Sequence, residues 1–380
     1  MTDQRPPRHD PPSEEAEPLL DVVDLRTHFL TPRGRVRAVD GVTLTVKRGT
    51  ALGVVGESGS GKTIFARSIM NLLPRENVVR SGRILFRGQD LMELDATQMR
   101  RLLGIELAMV FQDPMSSLNP VMTIGRQITE PLRQHLAMSR REARETAVAL
   151  LRSTNIPEPA RRFDEYPHQL SGGMRQRVMI ALALACGPRL LFADEPTTAL
   201  DVTVQAEILN LLQDQQADRA MAMVLVTHDL GVVAGRTDEI AVMYAGRIVE
   251  QAPTKVLFSS MRHPYSEALL RSIPRVENPS HTKLRVIVGR PPELIDPPPG
   301  CPFAPRCPYV HDRCREEEPR LVDPKGDGHR FACHAPLGTP ESEAFLEANL
   351  ERGLPQAQVL RDAPSGPPET SAAMASADGG

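Results

Sequence analysis

Residues 51–63 read ALGVVGESGSGKT, and this stretch determines the fold class of the chain. The first five residues form a short apolar run typical of a buried strand, and residues 56–63 match the pattern G-x-x-x-x-G-K-[ST]. A helical pattern follows at residues 64–73. Glycines let the backbone N–H groups of such a loop wrap phosphate oxygens, and the helix N-terminus adds about half a positive charge. The order of strand, loop and helix therefore predicts a phosphate-binding loop in an α/β fold.

The loop ends in two side chains with different tasks. We expect the Lys62 ammonium to neutralise the β- and γ-phosphates of a nucleotide and the Thr63 hydroxyl to bind Mg²⁺. A glycine-rich turn that holds a lysine by chance is the alternative, and the strand and helix on either side disfavour it. The predicted nucleotide contacts of the loop are Gly56, Glu57, Ser58, Gly59, Ser60, Gly61, Lys62 and Thr63.

A second apolar strand, at residues 190–193, is followed by two carboxylates, Asp194 and Glu195. The carboxyl ends of parallel strands are where α/β folds bind ligands. Adjacent residues of a strand point to opposite faces, so the two carboxylates can have different roles. We expect Asp194 to hold Mg²⁺, directly or through water, and Glu195 to act as the general base toward the attacking water. A solvated strand end is the alternative, which the phosphate loop disfavours.

Strand-like and helical patterns alternate along much of the chain, which predicts an α/β core with a largely parallel sheet. Residues 119–170 interrupt the alternation with helical sequence only and indicate an inserted helical subdomain. The composition shifts near His263, where we expect a second domain to begin. The predicted strands are residues 51–55, 108–111, 190–192, 223–226 and 240–243.

These patterns divide the chain into four parts. Residues 1–18 are polar and proline-rich, and residues 335–380 lack a periodic apolar pattern, so both are predicted to be disordered tails. A nucleotide-binding domain is predicted for residues 19–262, with the helical insertion at about residues 113–170. A small cysteine-rich C-terminal domain is predicted for residues 263–334.

Charge and hydropathy limit the classes of function. The formal net charge of the 380 residues is −3, which provides no general electrostatic attraction to nucleic acid or to an anionic membrane. No run approaches the ~18 consecutive apolar residues of a membrane span, and the N-terminal segment lacks the apolar stretch of a secretory signal. We therefore expect any role at a membrane to depend on a partner that spans it.

A third motif, LSGGMRQR at residues 170–177, opens another predicted helix. A Ser-Gly-Gly before a helix offers a second N-terminus that can bind an anion, although alone it could be an ordinary helix cap. The motif precedes the acidic strand, with room between them for one helix and a turn at residues 187–188.

Together the three motifs resemble those of the ATP-binding subunits of ABC transporters, and residues 170–176 resemble the signature of that family. The resemblance implies a P-loop NTPase (RecA-like) core and a dimer that sandwiches two ATP molecules. The signature of one subunit then faces the phosphate loop of the other. The implied contacts to the ATP held mainly by the partner are Ser171, Gly172, Gly173 and Gln176.

Three further motifs follow the order of the family. Gln112, in FQDP, resembles the glutamine that reaches Mg²⁺ and the attacking water. Asp201, in ALD, resembles the loop that communicates across the dimer, and His228, in VTHD, resembles the switch histidine that contacts the γ-phosphate. Many members stack adenine on an aromatic residue upstream of the phosphate loop. Residues 32–39 contain none, and Phe29 fits a packing residue of the first strand better.

Four stretches narrow the resemblance to the dipeptide/oligopeptide (and nickel) importer ATPases of bacteria. They are residues 112–120, 166–169, 263–270 and 289–333. This branch implies a second ATPase subunit, identical or different, two membrane permeases, and an extracytoplasmic substrate-binding protein that acts indirectly, with no nucleic acid partner. It also implies a position at the cytoplasmic face of a bacterial cell membrane, with residues 112–170 against the permease.

Other functions remain as alternatives. The cargo is expected to be peptide, with nickel or another solute as the alternative. A non-transport ABC ATPase of the translation or DNA-repair type is disfavoured, because those chains carry two cassettes or a very long coiled coil. A binding module with an inactive site is disfavoured by the presence of Lys62, Asp194, Glu195 and His228.

Four of the five cysteines follow the spacing C-x5-C-x6-C-x18-C. In a chain without an export signal, clustered thiols favour a metal over disulfides, with unliganded cysteines as the alternative. Zinc usually prefers C-x2–4-C pairs, which are absent, whereas wider spacing suits a [4Fe–4S] cluster. The family resemblance points the same way. The predicted ligands of a structural [4Fe–4S] cluster, or alternatively of Zn²⁺, are Cys301, Cys307, Cys314 and Cys333.

Overall fold

The computed structural model describes residues 18–113, 117–198, 200–273, 287–295, 297 and 299–361. The strands of these residues are β1 (Pro18–Thr31), β2 (Gly34–Lys47), β3 (Ala51–Val55), β4 (Val78–Phe86), β5 (Gln89–Asp90), β6 (Leu107–Val110), β7 (Leu190–Asp194), β8 (Ala222–Thr227), β9 (Glu239–Tyr244), β10 (Arg247–Pro253) and β11 (Arg330–Phe331).

The helices follow in chain order. They are α1 (Lys62–Ile69), α2 (Ala96–Leu102), α3 (Ile124–His135), α4 (Arg140–Ser153), α5 (Pro159–Arg162), α6 (Gly172–Ala183), α7 (Val202–Asp218), α8 (Leu230–Val233), α9 (Thr254–Ser259), α10 (Pro264–Arg271), α11 (Asp312–Glu316), α12 (Pro340–Glu351) and α13 (Pro355–Arg361), with 3₁₀ turns at Pro167–Gln169 and Ala304–Arg306. Among the helices of the described residues, none has both the length and the apolar character needed to cross a bilayer.

A seven-stranded sheet with the order β11-β10-β9-β3-β8-β7-β6 forms the centre of the molecule. Its strands from β9 to β6 are parallel. Every residue of β3, β7 and β8 is buried, as expected for parallel strands covered on both faces. The predicted α/β fold with a largely parallel sheet is confirmed, and the five predicted strands have ends within two residues of the observed ones.

A second, antiparallel sheet has the order β2-β1-β4-β5. Its buried side chains, such as Leu20 and Val22, share an apolar cluster with Phe65 and Ile69 of α1 and with one face of the central sheet. This packing fixes the hairpin of β1 and β2 beside the loop that begins α1.

The helices α3, α4 and α5 occupy the segment predicted as a helical insertion. Together with α6 they bury a third apolar cluster, which includes Ile128, Leu151, Phe163 and Val178. Helix α4 begins with a capping box, in which Ser139 accepts the N–H of Glu142 and the Glu142 carboxylate accepts the N–H of Ser139. A cap of this kind fixes where a helix begins.

The cysteine-containing region does not form a separate domain, so that part of the predicted fold is not supported. Strand β11 pairs with β10 and extends the central sheet. Phe303 packs edge-on against Tyr244 of β9, with ring centroids 5.4 Å apart, and also contacts the ring of Tyr265. Buried residues of this region belong to the same apolar cluster as one face of the central sheet. The region is therefore stabilised by a shared core rather than by a small core of its own.

The prediction of a disordered tail from residue 335 onward is wrong for residues 335–361, which form α12 and α13 against the body. Asn349 is 3% exposed, and its Nδ2 donates to the carbonyl oxygens of Pro308 and Val310, each at 2.9 Å. Phe345 stacks on His311 with ring centroids 4.1 Å apart. A few such contacts hold the helices without a regular apolar pattern. Residues 1–17 and 362–380 lie outside the described residues, as does the tail predicted for them.

We predict that Asn349→Ala destabilises the protein by about 1–3 kcal/mol, because two buried carbonyl groups lose their donor. Urea unfolding followed by circular dichroism measures the change. Glu351→Ala, an exposed substitution in the same helix, is the control and should leave stability nearly unchanged. Equal losses in the two variants would contradict the contact.

Candidate nucleotide site

Two glycines shape the loop between β3 and α1. A Cβ on Gly56 would lie 2.1 Å from the carbonyl oxygen of Met243, and a Cβ on Gly61 would lie 2.2 Å from that of Ala38. Gly61 also has a φ of 105°, in the left-handed region that disfavours side chains. These two glycines are therefore required for the loop to lie this close to its neighbouring backbone.

Lys62 lies under the loop with 4% of its surface exposed. Its Nζ donates to the carbonyl oxygens of Gly56 at 2.8 Å and of Glu57 at 3.0 Å. Burial lowers the pKa of Lys62, while the nearby carboxylates, chiefly Glu195, oppose this shift. The ammonium is thus fixed at the centre of the loop, where it could contact a bound phosphate.

Thr63 and Asp194 form a pair at the ends of α1 and β7. The Thr63 hydroxyl donates to Oδ1 of Asp194 at 3.0 Å. Oδ2 of Asp194 is buried and has no hydrogen-bond partner among the described residues. Burial raises the pKa of Asp194, and the bond from Thr63 opposes the shift. An unpartnered carboxylate oxygen beside a hydroxyl is an oxygen donor set of the kind that Mg²⁺ binds, so these residues fit the ion.

The Glu195 carboxylate is where three distant segments meet. Its Oε2 accepts hydrogen bonds from Nε2 of Gln112 and from the Thr198 hydroxyl, each at 3.0 Å, and lies 3.4 Å from Nδ1 of His228. The bond to His228 lowers the pKa of Glu195 and raises the pKa of His228. Glu195 also has a φ of 45°, which turns the chain sharply after β7. The ionised carboxylate that results is what a general base requires.

A cavity of about 970 Å³ opens beside these groups. Its polar end is the phosphate loop, and its apolar end includes Phe29 and Val36 of the β1–β2 hairpin. Phe29, which the sequence favours as a packing residue, is therefore available to a nucleotide base. A C-terminal segment contributes to the same wall, and no local sequence pattern indicates this because the contact joins residues so distant in the chain. The residues of that segment are Ile287, Pro291 and Leu294.

The predicted signature residues are not among the described residues that line this cavity. Ser171 caps α6 by accepting the N–H of Met174 at 3.3 Å, and Ser171 and Gly172 are exposed. Asp201 caps α7 in the same way, by accepting the N–H of Val204 at 2.9 Å. Gln176 differs from the others because it is only 2% exposed. The signature therefore presents a helix N-terminus to solvent, away from the phosphate loop of its own chain.

The four clustered cysteines line one small cavity together with His263 and Tyr309. All of them are free thiols. Burial raises the pKa of Cys301 to about 11 and that of Cys333 to about 12. Within the described part of the chain, however, no group of three or more His, Cys, Asp or Glu side chains is arranged to hold a metal ion. The structure brings the predicted cysteines together but does not confirm the predicted cluster.

Comparisons with known proteins agree with this site. Residues 39–198 match the family described as ABC transporter, and residues 249–314 match the oligopeptide/dipeptide transporter C-terminal region. The probable peptide ABC transporter ATP-binding protein y4tR of Sinorhizobium fredii is 50% identical over 84% of this chain and 95% of its own length. The chain belongs to the ABC transporter family of ATP-binding subunits.

Other relatives and solved structures support the assignment of this ABC subunit as an ATPase. The dipeptide transport ATP-binding protein DppD of Escherichia coli is 48% identical over 84% of this chain and 97% of its own length. The dimeric ABC transporter cassette MJ0796 is 28% identical, with a TM-score of 0.56 over 62% of this chain and 98% of that one. Another structure shows MJ0796 in a post-hydrolysis state with ADP and Pi, with the same TM-score. The enzyme class, an ABC-type ATPase, is thereby confirmed.

Proposed function

We propose that this ABC ATPase subunit energises the import of dipeptides or oligopeptides through membrane permeases. The observation that carries the proposal is the match of residues 249–314 to the oligopeptide/dipeptide transporter region, together with an ATPase site that has its lysine and both carboxylates. The names of the relatives, peptide and dipeptide transport ATP-binding proteins, agree with it. Nickel or another solute is the alternative cargo.

The chemistry proposed for the site assigns one role to each group. Lys62, held by two loop carbonyls, neutralises the β- and γ-phosphates. Mg²⁺, when bound to Thr63 and Asp194 with Gln112 nearby, would supply further charge neutralisation at the phosphates. Glu195 takes a proton from the attacking water, and its bonds from Gln112 and Thr198 orient the carboxylate. His228 contacts the γ-phosphate, and its Nδ1 lies close to the Glu195 carboxylate.

The active form in this proposal is a dimer of two ATPase subunits, identical or different. The exposed N-terminus of α6, with Ser171, Gly172 and Gly173, binds the γ-phosphate of the ATP held by the partner. Gln176 is buried, so it would position α6 beneath that contact. Asp201, at the N-terminus of α7, would carry the closure of the dimer to the neighbouring site. The dimeric state of the MJ0796 cassette agrees with this arrangement.

The proposed location is the cytoplasmic face of a bacterial cell membrane, beneath two permeases served by an extracytoplasmic substrate-binding protein. Gln112 lies next to the helical insertion of about residues 113–170, and its amide bonds Glu195. Closure around the γ-phosphate would move Gln112 and with it the surface that docks on the permease. This link is how hydrolysis would reach a substrate path that the chain itself never touches.

We also propose that Cys301, Cys307, Cys314 and Cys333 hold a structural [4Fe–4S] cluster, with Zn²⁺ as the alternative. The support is that all four are free and line one cavity. Burial raises the pKa of these thiols, so ligation by a cation would be needed to keep them as thiolates. Wide spacing without C-x2–4-C pairs favours the cluster over zinc.

We predict that Glu195→Gln lowers ATP hydrolysis about 10²–10⁴-fold in the complex reconstituted with its permeases, because the base is lost while shape is kept. ATP binding should remain, and uptake of a labelled dipeptide into liposomes should stop. Glu93→Gln, an exposed carboxylate, is the control. Wild-type turnover in Glu195→Gln would contradict the assignment of the base, and uptake of nickel without dipeptide would contradict the cargo.

If each ATP is bound by two subunits, variants of the phosphate loop and of the signature should have different effects. Lys62→Ala should weaken ATP binding to the isolated subunit, because it removes a charge that meets the phosphates directly. Ser171→Arg should leave that binding nearly intact but prevent dimer formation with ATP, since it blocks the partner's site. Fluorescent ATP titration and size-exclusion chromatography measure the two effects. Equal loss of affinity in both variants would show that the sandwich arrangement is wrong.

The cluster predicts that protein purified without oxygen is brown and contains about four irons and four sulfides per chain. Reduction by dithionite should bleach the colour, and Cys307→Ser should lose the iron. Cys186→Ser, outside the group of four, is the control and should keep it. A colourless protein with one zinc would support the alternative metal, and a metal-free folded protein would exclude both.

A further inference from the structure

A buried arginine of the C-terminal region contacts the phosphate loop. Nη1 of Arg306 donates to Oε2 of Glu57 at 2.6 Å, and Nη2 donates to Oε1 at 2.9 Å. Arg306 is 4% exposed and immediately precedes Cys307 in the chain. The planar guanidinium thus grips both oxygens of the carboxylate, which is the geometry that arginine offers and lysine does not.

The remaining donors of Arg306 are fixed from its own side. Its Nε donates to the carbonyl oxygen of Val288 at 3.0 Å, and Nη2 also donates to that of Ile287 at 3.2 Å. Nη1 lies 3.3 Å from the hydroxyl oxygen of Tyr244. Because these contacts hold the guanidinium in one position, the carboxylate that binds it is held as well.

Glu57 transmits this position into the loop, since its backbone groups are also bonded. Its N–H donates to the hydroxyl oxygen of Tyr265 at 2.7 Å, and its carbonyl oxygen accepts from Nζ of Lys62 at 3.0 Å. One residue of the phosphate loop is therefore bound to two residues of the C-terminal region, and the same residue positions the ammonium that faces the phosphates.

The charge of Glu57 makes the arginine necessary. Glu57 lines the cavity beside the phosphate loop, and its position in the pattern G-x-x-x-x-G-K-[ST] tolerates any residue type. The Glu57 side chain is partly buried, so an uncompensated carboxylate there would repel a triphosphate more strongly than a fully hydrated charge would. The bidentate ion pair removes that repulsion.

We propose that Arg306 is a positioning residue for ATP binding. It neutralises and orients Glu57, and through the Glu57 carbonyl it fixes Lys62. The C-terminal region is then a part of the nucleotide site. The inference rests on the ATPase assignment alone, so it stands whether the cargo is a peptide or another solute.

The test is a double-mutant cycle on the full-length chain, measured by titration with ATP and with AMP. Arg306→Gln should weaken ATP binding about tenfold, the size expected from an unpaired charge beside the phosphates. In the Glu57→Gln background the same substitution should have little effect, because no carboxylate remains to be neutralised. Glu57→Gln alone is the reference for the second pair of variants, so any effect of losing the carboxylate itself cancels from the cycle. AMP binding should change little in every variant.

Two results would overturn the proposal. One is an equal loss of ATP affinity from Arg306→Gln in both backgrounds, which is expected if Arg306 only supports the C-terminal fold. The other is an equal loss for ATP and AMP. Thermal unfolding of each variant checks that it is folded. If Arg306→Gln does not fold, Arg306→Lys is used instead. It should weaken ATP binding less, and only in the chain that keeps Glu57, because the ammonium keeps the charge but not the bidentate geometry.

Discussion

The close approach of the phosphate loop to its neighbouring backbone is the constraint on which the rest of the site depends. Because Gly56 and Gly61 have no side chains, the loop can lie directly against the carbonyl groups of Met243 and Ala38. Strand β3 holds the loop between β8 and β9 in a parallel sheet, so the carboxyl ends of these strands share one edge. The groups that follow β7 and β8 reach the loop for the same reason.

At that edge, two adjacent carboxylates lie in different electrostatic environments, which shift their pKa values in opposite directions. Asp194 lies at the end of a buried strand and keeps one oxygen without a partner among the described residues. Glu195 turns out of the strand and is surrounded by donors from Gln112, Thr198 and His228. Burial raises the pKa of the first, and the bond to His228 lowers that of the second. Neighbouring acids with different surroundings can divide metal binding and proton transfer between them.

Local patterns made much of this predictable. The strands β3, β7 and β8 are continuous apolar runs because they are buried on both faces, and the site residues follow them at once. The role of Phe29, the helix around Asn349 and the contact of Arg306 with Glu57 left no such pattern. Each depends on a partner far along the chain, and a single contact of that kind does not alter the local spacing of apolar residues.

The small size of the C-terminal region explains why it packs on the central sheet beside the phosphate loop. A short segment rich in proline and cysteine buries too little apolar surface to be stable alone. Here it joins the core of the central sheet through Phe303, Tyr244 and Tyr265. Both tyrosines also form hydrogen bonds, Tyr244 with Arg306 and Tyr265 with the backbone N–H of Glu57. The packing that stabilises the region is therefore continuous with the phosphate loop. A change in the packing of either one would shift the other, because the contacts between them are buried and closely packed.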